Sequence, residues 1–458
     1  MSRSPSFPPT LRALQRRTIR VLVVAQLLGA CGLAAGGTAG ALLAEQLTGS
    51  LATAGLPLAM LVLGSGIGAV AVTRIMSGRG RRAGLSVAYL AGGAGAGLVV
   101  AAVAWESWPL LLAGCGLLGG GNAAVMLARY AAADLSSRRA RSISAVVAAA
   151  SVGAVAGPNL LGSAGVLAGA VGLPAPTGLF LLAIPAFLAA ALVLLVFLRP
   201  DPLQVTRAAA PSTDQPAVTG GWGDLVALLG DRHIRLALVV LAVANLAMVG
   251  VMAVAPVHLH DHGVGMGAIG LLISVHIAAM YLPSPVTGWM ADTLGPRVVA
   301  GMGLLLLLAA GAIAATAGFG QVAIVGALLL LGVGWNAGLI GGSALLRDAS
   351  VSPSLRTRAE GLGELGMGAA AAVGGSGAGL LLATGGLALL GLVAAAPCLL
   401  VLAAAFRPTF TADTRLHKHP LQTVRDQPGT PQAASANQPT GLTPTVTGSR
   451  RRSATHGR

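Results

Sequence analysis

The chain has 458 residues, of which 55% are apolar and only 9% charged, with 66 glycines. A soluble domain carries charge on about a quarter of its residues, so this composition excludes one. A net charge of +15 would suit a nucleic-acid partner, but the placement of the charges excludes that reading as well.

In chain order, uncharged apolar stretches of about the 20 residues that cross a bilayer recur from residue 21 onwards. They predict an all-α membrane protein of twelve spans, over 21–43, 52–73, 84–104, 109–130, 143–166, 177–198, 234–256, 268–290, 298–318, 321–345, 362–383 and 386–406. The expected organisation is a basic tail over 1–20, a six-helix bundle over 21–198, a central loop over 199–232, a second bundle over 233–406 and a tail over 407–458. The last tail is rich in Pro, Thr, Ser and Gln and poor in large apolar residues, so it is expected to be disordered. The first span is too long for the apolar core of a cleaved signal peptide. Cys31, Cys115 and Cys398 all fall within spans and read as small core residues rather than a disulfide framework.

Twelve spans with both tails on one side place all 29 Lys and Arg on that side. They fall in the first tail (Arg12, Arg16, Arg17 and Arg20 among them), after span 2 (Arg79, Arg81, Arg82), after span 4 (Arg138, Arg139, Arg141), in the central loop, and around Arg297, Arg347 and the last tail. By the positive-inside rule both termini are cytoplasmic, and the expected location is the inner (plasma) membrane of a bacterium. The basicity is a matter of topology.

The halves repeat. Asn122 and Asp134 in GNAA…D are matched by Asn336 and Asp348 in WNAG…D, 214 positions later, and Ser77 after span 2 aligns with Asp292 after span 8 at nearly the same interval. A parallel repeat of six-helix units describes a secondary transporter.

At the end of span 8 stands GWMADTLGPR. Gly288 permits close helix approach, Asp292 is an acceptor, Gly295 allows a tight turn, and Arg297 suits a carboxylate or last-turn carbonyls. This pattern, GxxxDxxGxR, resembles the loop signature of the major facilitator superfamily. The resemblance implies a fold of two rocking six-helix bundles and a gate in which the Asp latches onto a neighbouring helix start, here near Ser142 and Ser144. The matching loop of the first half has Thr73 and Ser77 where the family has Gly and Asp, so a one-sided latch is expected.

Span 5 holds GAVAGPNLLG, with Gly153, Gly157 and Gly162 opening room for another helix and Pro158 removing an amide donor. It resembles the facilitator motif associated with antiporters, apart from Leu161, and that resemblance implies export. The mid-membrane Arg that proton antiporters of the family often carry in span 4 is missing, Cys115 or Gly116 standing in its place, and Arg129 lies nearer the cytosol, where interface duty is expected.

Intramembrane polar groups are functional candidates. Asn122, Trp335 and Asn336 are candidates to line the substrate cavity, with interhelical hydrogen bonding the alternative for both asparagines. Glu364 and His276 are candidate proton carriers, and capping of span 11 is the alternative for Glu364. PVHLHDHG clusters His258, His260 and His262, which suits metal binding, pH sensing or a solvated loop. No cofactor motif, Walker loop, HExxH or nucleophile elbow occurs, so an enzyme is not expected and a gradient must drive transport. With no mid-membrane Lys or Arg, the expected cargo is apolar or amphipathic, and the expected partners are that small molecule, an ion gradient and lipid, for a monomer that binds no nucleic acid. Proton-coupled efflux is the leading expectation. Uptake by the same fold and a non-transporting sensor are the alternatives.

Overall fold

The computed structural model describes residues 9–33, 38–50, 53, 55–209, 222–261, 263–316, 321–349 and 351–405. Among them every regular element is a helix: α1 (Pro9–Leu33), α2 (Thr38–Thr48), α3 (Leu56–Arg79), α4 (Arg81–Ala104), α5 (Trp108–Ala133), α6 (Arg139–Ala170) and α7 (Thr177–Phe197) in the first half. Two short helices, α8 (Pro202–Ala208) and α9 (Trp222–Gly230), precede α10 (Arg232–Asp261), α11 (Met266–Tyr281), α12 (Ser284–Leu294), α13 (Pro296–Thr316), α14 (Gln321–Asp348) and α15 (Pro353–Ala405).

Nine helices among the described residues are long and apolar enough to cross a bilayer, so the count of twelve rests on the sequence. One difference has a clear cause. The 53 residues of α15 cover two expected spans, joined through Gly386, whose φ of 65° and ψ of −166° break the helix. The basic tail also differs from expectation, because residues 9–20 are helical and run unbroken into the first apolar stretch as α1.

The single span expected over 268–290 is divided into α11 and α12. Pro283 and Pro285 withhold the donors that the Ala279 and Tyr281 carbonyls would otherwise accept from, and at the resulting break Asn336 of α14 donates to the intervening Met280 carbonyl at 2.7 Å.

Small residues set the packing. In the first half a Cβ at Gly95 of α4 would stand 2.7 Å from the Gly114 carbonyl oxygen of α5; in the second, one at Gly303 of α13 would stand 2.8 Å from that of Gly334 of α14. The same helix pair in each half is thus pressed backbone to backbone. The outward surface is apolar, with Leu192 61% and Leu400 70% exposed, as suits lipid rather than water. The halves meet where α3 lies on α15 and where α6 lies on α11, α12 and α14.

Candidate gating and transport site

Charged residues that the sequence places at one end of the bundle are drawn inward there, and four of them close a ring between the halves. Arg81 begins α4, Asp134 follows α5, Arg347 ends α14 and Glu360 lies near the start of α15. Arg81 reaches Asp134 at 2.9 Å and Glu360 at 2.5 Å, while Arg347 reaches Asp134 at 2.8 Å and Glu360 at 3.1 Å. Each acid thus faces one guanidinium from each half, and all four side chains are buried. A lone buried charge is costly, and only such mutual pairing with hydrogen bonds offsets desolvation. Burial by itself pushes the Asp134 carboxyl up, but Arg81 and Arg347 outweigh it and hold the group below the usual carboxylate range.

One turn further into the bundle from Glu360, Glu364 accepts from Arg129 at 2.6 Å. Arg129 also donates to Ser343 at 2.9 Å, to the Tyr130 hydroxyl at 3.1 Å and to the Met126 carbonyl, and its guanidinium lies 4.5 Å from the Tyr130 ring centroid. This second buried pair also spans the halves. An outer, exposed pair joins Arg139 to Asp348 at 2.9 Å.

Asp292, in the last turn of α12, accepts from the backbone amides of Ala140 and Arg141 at 2.9 and 3.1 Å. These are free donors of the first turn of α6, where an anion also meets the positive end of the helix dipole. Gly288, one turn earlier, lies so close to α6 that an added Cβ would stand 2.2 Å from Ser144 Oγ. On the other side of the interface the sizes are exchanged, Thr73 of α3 facing Gly361 of α15, where a Cβ would stand 2.3 Å from Thr73 Oγ1. Ser77, standing where the family has Asp, donates to the Ser354 carbonyl at 3.5 Å.

The remaining sequence-predicted residues fall in several places. Gly295 has a φ of 100° and makes the turn between α12 and α13. Arg297 donates to the Ala405 carbonyl at the end of α15, a bond to a last-turn carbonyl within the second half. Gly153 packs on α1, with a Cβ there 2.3 Å from the Ala30 carbonyl carbon, whereas among the described residues nothing lies within 4 Å of one at Gly162. The surroundings of Gly157 and Pro158 lie outside the described residues, as do those of His258, His260 and His262.

Of the expected cavity residues, Asn336 is fully buried, donates to Met280 and Ser284, and accepts from Thr287. Its amide is consumed by the α11–α12 junction, so the interhelical alternative describes it. Asn122 donates to Ser65 at 2.9 Å and stays half-exposed. Trp335 donates to Asn245 at 3.0 Å and meets Tyr281 edge-on with ring centroids 6.0 Å apart. Asn245 in turn donates to the Met367 carbonyl. His276 is buried, with Nδ1 2.8 Å from the Leu328 carbonyl, which makes that nitrogen the protonated one, and Nε2 has no partner among the described residues. The sequence offers Glu360 with Glu364 as polar candidates at the start of span 11, but sequence reasoning missed its joining with Arg81, Asp134 and Arg347 in a ring, and also Asn245. The repeat of Asp134 in Asp348 was the available signal for the ring.

The sequence pattern of the Major Facilitator Superfamily matches residues 22–268 and 236–444. The "Uncharacterized MFS-type transporter YdeG" of Bacillus subtilis is 38% identical over 82% of this chain and 88% of its own. The "Riboflavin transporter RfnT" of Brucella anthropi is 29% identical over 76% of this chain and 84% of its own. Among solved structures, the human organic anion transporter MFSD10 superposes with a TM-score of 0.68 at 18% identity, over 87% of this chain and 99% of that one, a likeness of fold. With the sequence pattern covering both halves and a relative of that identity aligned along most of the chain, the protein belongs to the major facilitator superfamily, the transporters that work by alternating access.

Proposed function

We propose that this transporter is a proton-coupled exporter of an apolar or amphipathic small molecule, with the basic end of its bundles facing the cytosol of a bacterial cell. The observation that carries the coupling is the buried Arg129–Glu364 pair between the halves. Protonating Glu364 removes the charge that offsets the burial of Arg129, so the contact weakens and the halves part at that end. Asp292 on the α6 amides and the Arg81–Asp134–Arg347–Glu360 ring are further fastenings at the same end, which must part with it. Opening there admits cargo from the cytosol, and loss of the proton restores the pair and closes it.

Support for the cargo class is compositional and local. Asn245, Trp335 and Tyr281 form a polar and aromatic cluster at mid-length of α10, α14 and α11–α12, without a fixed charge. The relative named as a riboflavin transporter would handle a cargo of the same amphipathic, ring-containing kind. Export is supported by the Gly153–Gly162 motif of α6 and its resemblance to antiporters.

The test is flux in inside-out vesicles across a panel of amphipathic ring compounds, riboflavin included, with and without an imposed pH gradient. The expected result is accumulation that collapses with the gradient, and loss of gradient dependence in Glu364→Gln. Accumulation unaffected by the gradient, or cargo movement only out of such vesicles, would overturn the coupling or the direction respectively.

A further inference from the structure

The first turns of α1 are built as a basic blade. Leu14, Gln15, Thr18 and Leu22, spaced for one face of a helix, are buried or half-buried against the protein, whereas Arg12, Arg16, Arg17 and Arg20 are all exposed. Among the described residues none of these four forms an ion pair. The helix then runs unbroken into the apolar stretch that starts at Val21, so Arg20 sits at the edge of the hydrocarbon and Arg12 about two turns beyond, within roughly 12 Å of it along the axis. A cluster of arginines in that position, with long stems that lie along apolar surface and heads in water, is matched to a layer of phosphates.

The blade is also fastened to the gate. Gln15 donates to the Ala132 carbonyl at 3.1 Å and to Ser142 Oγ at 3.2 Å. Ala132 lies in the last turn of α5, and Ser142 stands in the first turn of α6, beside the Ala140 and Arg141 amides that hold Asp292. Ser142 in turn donates to Ser136 Oγ at 2.8 Å and to the Arg138 carbonyl.

We propose that the Arg12, Arg16, Arg17 and Arg20 stripe binds the headgroups of anionic phospholipids, and that through Gln15 this binding orders the start of α6 and favours the state in which Asp292 is seated there. Lipid that fixes the blade presents the two amides preformed, so the ordering cost of seating Asp292 has already been met. The proposal shares with the exporter reading only the placement of this end at a membrane surface. It does not depend on cargo, direction or coupling ion.

The full-length protein is placed in nanodiscs of phosphatidylcholine with or without added phosphatidylglycerol. Amide hydrogen exchange is followed over residues 138–144, and co-retained lipid is measured by native mass spectrometry. The expected result is exchange slowed about tenfold by phosphatidylglycerol, the equivalent of little more than one headgroup contact made in the seated state alone. Replacing all four arginines by Gln removes both the slowing and the lipid enrichment, replacing them by Lys keeps both, and Gln15→Leu keeps the enrichment but loses the slowing. Equal exchange of the wild-type protein in both bilayers overturns the proposal, as does equal slowing by free inorganic phosphate in phosphatidylcholine alone, or slowing that survives in the four-Gln variant with unchanged melting. None of these readouts needs a cargo, so their failure leaves the exporter reading where it stood.

Discussion

Arg129 Nε donates to Ser343 Oγ at 2.9 Å across 214 positions of sequence, the interval that also separates Asn122 from Asn336 and Asp134 from Asp348. Residues exchanged by a two-fold axis touch only when both lie beside it. Arg129 therefore sits at the centre of the contact between the halves, and Glu364 brings a carboxylate to that point. A charged group there is exposed to every relative motion of the bundles.

Removing one member of this pair strands the other. Arg129→Met is expected to lower stability by about 3 to 5 kcal/mol, with Arg129→Met plus Glu364→Met recovering much of the loss. Thermal unfolding of the purified variants in detergent checks this, and a double variant as unstable as the sum of the singles would show that the two side chains do not act as a pair.

Asp292→Asn keeps one acceptor for the α6 amides but gives up the charge that the helix start favours, a loss of about 0.3 to 2 kcal/mol. The expectation is normal membrane insertion with transport lost or sharply reduced. Unchanged flux would remove the gating role.

The exchanged small residues give an uneven pattern of rescue. Gly361→Ala meets chiefly Thr73 Oγ1 at 2.3 Å, with the next atoms at 3.2 Å, so Thr73→Ala should restore it. Gly288→Ala meets Ser144 Oγ at 2.2 Å but also Ser144 Cβ at 2.6 Å and the Ala140 carbonyl at 2.9 Å, so Ser144→Ala should not. Paired growth-independent transport assays of the four variants decide it, and equal rescue on both sides would contradict the packing.

The folded-state value of Asp134 lies below its unfolded one, so the ring contributes stability above the ordinary carboxylate range of about 4 and loses it as pH falls through the depressed value. Melting temperature should hold from neutral pH down to about 5 and fall below that, while Asp134→Asn should start lower at neutral pH and show a shallower acid decline. Superimposable profiles would rule out the ring as a source of acid sensitivity.

Asn336 and Asn122 occupy matching places in the repeat but should differ in cost. Asn336→Leu strands Ser284, Thr287 and the Met280 carbonyl in a buried site and is expected to destabilise by about 1 to 3 kcal/mol. Asn122→Ala removes one bond at a half-exposed site and should cost under about 1 kcal/mol. Unfolding midpoints of the two variants compare them directly.

The sequence by itself determined that this is a helical membrane protein of facilitator type. Apolar length and charge placement are local properties, and GWMADTLGPR carries its turn and its acceptor within ten residues. The motif pointed Asp292 at a helix start in the other bundle, near Ser142 and Ser144, and its bonds go to the adjacent Ala140 and Arg141 amides. Only the tertiary structure decided which charges leave the surface. Arg81 reads in sequence as part of the basic side, no different from Arg79, and Arg129 as an interface residue with no partner named. They are buried because partners 279 and 235 positions away arrive to neutralise them. The same reason governs Asn336, whose amide was claimed by an α11–α12 break that no local pattern in α14 announces. A side chain's propensity and hydropathy are fixed by its own chemistry, but the free energy of burying its charge depends on what stands opposite, and that is set by the fold.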